Sequence, residues 1–457
     1  MAGEGQSLSN EGGRRLVFFP SPFQGHITPI LQLASLLRSR GFFITIIHTR
    51  FNSPDPSMYP DFSFEAISDG LSAEKASSLI SDFIAFSTAL NKNCEQPFRE
   101  CLKRLTSERR SDRIVCVIDD GNMQFVPNVV HELEVPRIMF LINSAASVAI
   151  YFNFPLLKEK GYLPIKDHKS KTPVDDCPPL RIKDIPGIRS DDPDAWFQIV
   201  DEALKKLNSS SAIFWNTFDY LEETTLSKMK RDIQAPIFAI GPVHKYPTCR
   251  STSLLEEERS CLSWLDQQPP GSVIYVSFGS LACLSKEELV EAAMGLANSE
   301  QAFLWALRPG SVRGSDSIEL PIEFEENTKG QGRVVKWAPQ QEVLAHPSVG
   351  AFWTHCGWNS TLEGICEGVP LLCSPSFGDQ MVNARYVDSV WKVGLQLDNG
   401  FVRGEIESGI RRIIAEKQRE EFKARAKDLK ANAEHSLTEK GTSFRFLKGL
   451  VDHLLSL

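Results

Sequence analysis

The stretch from Trp337 to Gln380, WAPQQEVLAHPSVGAFWTHCGWNSTLEGICEGVPLLCSPSFGDQ, decides the fold. Its centre is a buried-strand pattern, Val349 to Trp353, that ends at Thr354-His355 and passes through Cys356-Gly357 into a helical pattern, Thr361 to Cys366. Asn359 and Ser360 stand where a helix N-cap is expected. A second apolar strand, Val369 to Cys373, follows and runs on to Gly378-Asp379-Gln380. Strand, glycine turn and helix start together form an anion site, because the first N–H groups of a helix lack partners and its dipole is positive there. No lysine or arginine lies between Ala351 and Gly368, which suits a diphosphate held by N–H, hydroxyl, amide and imidazole groups. Glu363 is placed to accept from ribose hydroxyls, as acidic residues do in nucleotide folds. Trp337 offers a flat surface for a base, and Asp379 and Gln380 offer hydrogen-bonding ends for sugar hydroxyls.

Outward from this stretch, the chain repeats the same logic. Arg15 to Phe19 reads as a buried strand, followed by Gly25-His26 and a helical spacing of Ile30, Leu31, Leu33, Ala34, Leu36 and Leu37, then a strand from Phe43 to His48. That order opens a doubly wound parallel sheet, and it puts His26 in the loop beyond a strand's carboxyl end, where ligands bind in such sheets. Arg113 to Ile118 is another strand, with Asp119-Asp120 at its end, and one of that pair could orient His26. Met123 and Phe125 follow and could line an apolar pocket. Residues 55–110 read as two helices, Ala76 to Leu90 and Cys94 to Leu105, and residues 164–195 as a surface loop. Val273 to Phe278 begins a second half, and Gly279-Ser280 makes a further glycine turn with a hydroxyl for a phosphate.

Composition bounds the remaining choices. A chain of 457 residues exceeds one core and suits two domains. The net charge of −8 and the absence of a basic block argue against nucleic acid as a partner. The ten cysteines form no CxxC pair, which argues against zinc and for a reducing compartment. Residues 1–13 lack the apolar core of a signal peptide, and no apolar run approaches the ~20 residues of a membrane span, so a cytoplasmic monomer is expected. The expected division is a tail (1–13), a first Rossmann-like domain (14–243), a linker (244–261), a second such domain (262–440) and a terminal helix (441–457) crossing back to the first.

The 337–380 stretch resembles the signature of the plant family 1 UDP-dependent glycosyltransferases, in the branch that holds steviol-glycoside, cytokinin and small-acid glucosyltransferases. The likeness extends to PFQGHITPILQLASLL, YVSFGS and NARYV. It implies a GT-B fold, α/β, with two Rossmann-like parallel-sheet domains facing across a cleft. It implies UDP-glucose as co-substrate, a small hydrophobic acceptor, no cofactor and no metal. Carried over by position, it makes His26 the general base and Asp120 its partner. Trp337 and Ala338 take the uracil, and Gln340 and Glu363 the ribose. Ser280, His355, Asn359 and Ser360 take the diphosphate, Trp358, Asp379 and Gln380 the sugar, and Gly357 is a further donor-binding position. Gln380 at the last signature position implies glucose. Gly25, Met123, Phe125, Ile142, Asn143 and Phe377 are the acceptor candidates. At 142–143 the family usually carries a threonine pair or Thr-Ser, and this chain has Ile142-Asn143. Two rival classes are a dinucleotide oxidoreductase, against which no GxGxxG follows either first strand, and a nucleotide-sugar-binding protein without activity, which would lack His26 or Asp120.

Overall fold

The carboxyl ends of two parallel sheets define the molecule. The computed structural model describes residues 13–72, 82–108, 112–187, 193–248, 253–315 and 318–457. The first sheet has seven strands: β1 (Gly13–Phe19), β2 (Phe43–Thr49), β3 (Phe62–Ile67), β4 (Asp112–Asp119), β5 (Arg137–Leu141), β6 (Ala212–Trp215) and β7 (Ile237–Ala239), in the order β3-β2-β1-β4-β5-β6-β7. The second has six: β8 (Val273–Ser277), β9 (Ala302–Ala306), β10 (Gly332–Val335), β11 (Val349–Thr354), β12 (Leu371–Cys373) and β13 (Gly394–Gln396), in the order β10-β9-β8-β11-β12-β13. The near-continuous apolar runs of β1, β8 and β11 are what a strand covered by helices on both faces requires. The strand order reverses between β1 and β4 in one sheet and between β8 and β11 in the other. Open α/β sheets bind ligands at that switch point, beyond the carboxyl ends of the strands.

The helices that bear on the site are numbered in chain order: α1 (Gln24–Arg38), α2 (Phe83–Ser107), α3 (Ala145–Phe152), α4 (Pro193–Lys205), α5 (Trp358–Glu367), α6 (Gln380–Tyr386) and α7 (Thr442–Ser456). Helix α7 follows the second sheet in the chain yet seats Leu447, Leu450 and Leu454 in the core of the first, beside Leu16, Phe18 and Phe214. Ser443 anchors its start by donating to the Gly241 carbonyl at 2.6 Å.

Four readings of local structure are corrected. Gly13, assigned to the tail, already pairs with Asp112 in the β1–β4 ladder. Residues 55–110 contain the edge strand β3, and the two expected helices are one continuous helix, α2, through Pro97; residues 76–81 lie outside the described residues. The 3-residue strand β13 was missed because it is too short to show a period. The stretch read as a surface loop from 164 to 195 is in part a strap. Asp184 is fully buried, and Arg181 and Lys183 reach Asp398, just past β13, at 2.9 and 2.7 Å. Its many prolines and charges mimic an exposed loop, but the charges are matched by partners more than 200 positions away.

Candidate active site

On the second sheet, β8 and β11 end side by side and deliver Gly279-Ser280 and His355 to one place. The His355 ring lies between two glycines. A Cβ on Gly279 or on Gly357 would come within 2.6 Å of the imidazole. Gly279 also has φ +72°, and Cys356 between the histidine and its glycine has φ +64°, a left-handed conformation uncommon outside glycine. Desolvation by the surrounding protein lowers the His355 pKa to about 4, and Arg308 adds to this against a bond to the Ser277 backbone. Its Nδ1 is buried without a partner. The ring is thus neutral and short of a hydrogen-bonding group.

Helix α5 starts one turn earlier than expected. Gly357, not Asn359 or Ser360, is its N-cap, and no side chain caps it. The first bond within the helix runs from the Thr361 N–H to the Gly357 carbonyl, 2.9 Å. The N–H groups of Trp358, Asn359 and Ser360 therefore occupy the positions that have no partner within the helix. Displacing the cap onto a glycine leaves more unpaired donors at the helix start than a serine or asparagine cap would.

Around this start the nucleotide-side residues form a chain. Gln340 donates to Ser360 Oγ at 3.0 Å and to Glu363 at 2.6 Å, Gln341 donates to the other Glu363 oxygen at 2.9 Å, and the fully buried Tyr275 donates to Gln340 at 3.3 Å. Burial pushes the Glu363 carboxyl up, and the two carboxamides oppose it. Trp337 holds its indole N–H on Ser253 Oγ, and the next residue, Ala338, is buried in the second sheet's core. The Trp358 indole is committed elsewhere: it donates to the Asn216 carbonyl at 2.8 Å and is 3% exposed. With the indole so committed, a sugar contact from Trp358 would come from its backbone. Asp379 and Gln380 sit at the start of α6. Gln380 turns its carboxamide oxygen to the N–H groups of Ser376 and Phe377, and Asp379 is held by Asn383 at 3.2 Å. Burial raises the Asp379 pKa, while Asn383, Asn143 and His26 act to lower it.

Across the cleft, the ends of β1 and β4 bring His26 and Asp120 together. The Nδ1 of His26 lies 2.9 Å from Asp120 Oδ2. Asp120 also accepts from the Ser21 N–H (2.7 Å), the Ser21 hydroxyl (2.8 Å) and the Asn122 N–H (3.1 Å). Burial alone would raise its pKa, but the His26 ring and the Ser21 donors outweigh it and hold the carboxyl below the usual range. A carboxylate so placed must accept, so the imidazole carries its hydrogen on Nδ1 and leaves Nε2 as an acceptor, with the Asn122 amide nitrogen 3.5 Å from it. Asp119 is separate from this pair. It accepts two bonds from Arg137 (2.6 and 2.9 Å) and is fully buried. Asn359 Nδ2 donates across the cleft to the Gly25 carbonyl at 2.7 Å, so the two half-sites meet one residue from His26.

Three acceptor candidates are corrected. Met123 and Phe125 belong to the core under α2, where the Phe125 ring packs on Phe19 and Phe98, and Ile142 belongs to the core between β5 and α1. Phe377 is half-buried against the second sheet's core, and Asn143 is half-buried and accepts the Trp215 indole N–H at its carbonyl. An aromatic chain leading away from His26 escaped sequence reasoning, and its first ring, Phe23, is buried in the same core as Met123 and Phe125. Phe23 packs against the His26 ring at 5.8 Å, Phe83 against Phe23 at 5.6 Å, Trp196 against Phe83 at 6.4 Å and Tyr151 against Trp196 at 6.2 Å. Burial raises the pKa of the Tyr151 hydroxyl, and the nearby Asp379 charge adds to it. These rings come from the ends or interiors of four segments and share no spacing that marks them. Arg308, which bonds the Gly279 and Ala282 carbonyls, is also new, although its place just beyond β9 is the sort of position a phosphate contact takes. Among the described residues, no cluster of three or more His, Cys, Asp or Glu could hold a metal ion, and no helix is long and apolar enough to cross a membrane.

Two parallel sheets with facing switch points, one built for an anion and the other carrying a histidine–carboxylate pair, define the GT-B class of glycosyltransferase. The comparisons carry this to the family. The family UDPGT, described as UDP-glucoronosyl and UDP-glucosyl transferase, matches residues 63–427. UDP-glycosyltransferase 76B1 of Arabidopsis thaliana is 44% identical over 96% of this chain and 98% of its own, and UDP-glycosyltransferase 76G1 of Stevia rebaudiana is 42% identical over 97% of each. Among solved structures, a UDP-glucose:anthocyanidin 3-O-glucosyltransferase in complex with UDP aligns over 98% of this chain and 100% of its own, with TM-score 0.83 and 26% identity. Os79 from O. sativa, in complex with U2F and trichothecene, aligns over 96% and 100%, with TM-score 0.78 and 26% identity. The chain belongs to the plant UDP-glycosyltransferase family, and it is a UDP-glycosyltransferase enzyme.

Proposed function

We propose that this enzyme moves glucose from UDP-glucose to a hydroxyl or carboxyl of a small hydrophobic plant metabolite, with inversion at the anomeric carbon. The observation that carries the reading is the His26–Asp120 pair, 2.9 Å apart at the β1/β4 switch point and joined to the donor helix through Gly25 and Asn359. His26 Nε2 takes the proton of the acceptor as its oxygen forms the bond to the anomeric carbon. Asp120 keeps the ring in the right tautomer and stabilises the imidazolium that forms. The bond from that carbon to the UDP oxygen breaks, and UDP leaves with the electron pair. The charge growing on the diphosphate meets the unpaired N–H groups at the start of α5, the Ser280 and Ser360 hydroxyls and His355. Attack opposite the leaving group turns an α-linked donor into a β-glucoside. Gln380 supports glucose, on the family's pattern. The aromatic chain from Phe23 to Tyr151 supports a flat, apolar acceptor, and a trichothecene in the similar rice structure is of that size class.

The test is UDP release from UDP-glucose over a panel of phenols, terpenols, small acids and existing glycosides, with His26→Ala alongside. The expected result is turnover of some members by the native enzyme and a roughly 10²–10⁴-fold loss in the variant, which still binds UDP. Equal turnover by both forms would remove His26 from the chemistry. Turnover with another UDP-sugar but not with UDP-glucose would overturn the donor assignment.

A further inference from the structure

Asn383, on α6, is fully buried and is hydrogen-bonded through both its amide nitrogen and its amide oxygen. Its Nδ2 donates to the Cys356 carbonyl at 3.0 Å and to the Asp379 carboxylate at 3.2 Å. Its Oδ1 accepts from the Ser144 hydroxyl at 2.7 Å, and the Ser147 hydroxyl, 2.7 Å from Ser144 Oγ, lies 3.3 Å from Oδ1 with a single hydrogen to give. The amide can be oriented only this way, because a carbonyl and a carboxylate both need a donor. The first two partners belong to the donor half, one on the strained turn after His355 and the other at the sugar end of the signature. The two serines belong to the first turn of α3, in the other half of the molecule. That turn is itself fixed: the buried Glu222 accepts from the Ala145 and Ala146 N–H groups at 2.9 Å each. Ser147 Oγ also reaches the Asp379 carbonyl at 3.4 Å. Asp379 stands at the N-cap position of α6 without making a side-chain capping bond there, and it follows Gly378 at φ +62°. Within its own helix Asn383 is what orients its carboxylate, and Asn143 of the first half bonds it as well.

We infer that Asn383 is a positioning residue that makes the orientation of Asp379, and through it the grip on the transferred sugar, depend on α3 of the first half being seated against the second. UDP can then bind the second half alone, while the sugar is held in register only when the two halves are docked. This rests on the reading of Asp379 as a sugar contact.

The test measures the affinities of the full-length enzyme for UDP and for UDP-glucose by calorimetry, without acceptor, in the native form and in Asn383→Ala, the double variant Ser144→Ala/Ser147→Ala, Asp379→Ala and Arg181→Ala. The expected result is that Asn383→Ala and the double variant bind UDP within about twofold of native but lose about tenfold in UDP-glucose affinity, as follows from unpairing one buried group. UDP binding also reports that a variant is folded, and the serine pair tests the same link should Asn383→Ala fail to fold. Arg181→Ala, which breaks different contacts between the halves, to Gln396 and Asp398, should leave the ratio of the two affinities unchanged. Equal loss for both ligands, no loss for either, a loss in Asn383→Ala but not in the serine pair, or a changed ratio in Arg181→Ala would each overturn the inference. An unchanged ratio in Asp379→Ala would show separately that the sugar assignment of Asp379 is wrong, and the inference would fall with it.

Discussion

Asn359 and Gly25, 334 positions apart, are joined by a hydrogen bond of 2.7 Å from the Asn359 amide to the Gly25 carbonyl. The bond ties the first turn of α5 to the first turn of α1, and so ties the anion site to His26. Replacing Asn359 by Ala should leave that carbonyl without its protein donor and loosen the register of the two half-sites. The expected outcome is a fall in kcat/KM of about five- to tenfold, with a loss of stability of about 1 kcal/mol. Steady-state kinetics with a thermal melt would check both.

Gly279 is predicted to be intolerant of any side chain. A methyl group there meets the His355 ring at 2.6 Å, and the backbone at φ +72° costs a non-glycine residue about 1–2 kcal/mol. Gly279→Ala should displace the imidazole and weaken UDP by about tenfold in a titration. Unchanged UDP affinity would mean that His355 does not touch the diphosphate.

The Asp119–Arg137 pair is expected to carry stability rather than chemistry. Removing Arg137 leaves a buried carboxylate next to Asp120, and losses of about 3–5 kcal/mol are typical of such unpaired charges. Arg137→Ala should therefore lower the urea midpoint strongly. A midpoint close to native would show that the Asp119 carboxyl is protonated without penalty.

Trp196 should matter to one substrate only. It sits in the aromatic chain that begins at His26 and touches neither the diphosphate nor the ribose residues. Trp196→Ala should raise the KM of a flat aromatic acceptor about five- to tenfold, in line with the ~0.5–1.5 kcal/mol of an aromatic contact with its area burial added. The KM for UDP-glucose should stay within about twofold.

The pH dependence of stability should carry the mark of His355. Its folded pKa is lowered to about 4 from the ordinary 6.5, mainly by burial. Between those values the unfolded chain binds a proton that the folded protein refuses. Stability is therefore full above pH 6.5 and falls on acidification towards pH 4, by at most about 1.4 kcal/mol per pH unit. Glu222, Glu363 and Asp379, whose carboxyls burial raises, act with the opposite sign. The difference between native and His355→Gln in chemical denaturation at pH 7, 6 and 5 isolates the histidine, and the variant should lose less stability over that range.

Much of this was legible in the chain itself. Apolar runs such as Val349–Trp353 and Val273–Phe278, each closed by a glycine turn, announce buried parallel strands, because the strand period and the turn's backbone demands are local. The same locality places His26, Asp119-Asp120, Gly279-Ser280 and His355 at strand ends. What the tertiary structure alone decided is which of these groups meet. Asp120 turns to His26 while Asp119 turns to Arg137, a choice between neighbouring carboxylates that depends on β5 lying beside β4. Met123, Phe125 and Ile142 are apolar next to the site, as a pocket would be, yet the helices above them take them into the core. Phe23, Phe83, Trp196 and Tyr151 become a wall only when four separate segments fold over the end of one sheet. Asn383 reads as an ordinary polar position on a helix until Ser144 and Ser147 arrive from the other half. Residue type and spacing determine what each element is and which chemistry it carries. Partners far apart in the chain are fixed by packing, since a hydrogen bond or ring contact depends on distance in space and leaves no period in the sequence.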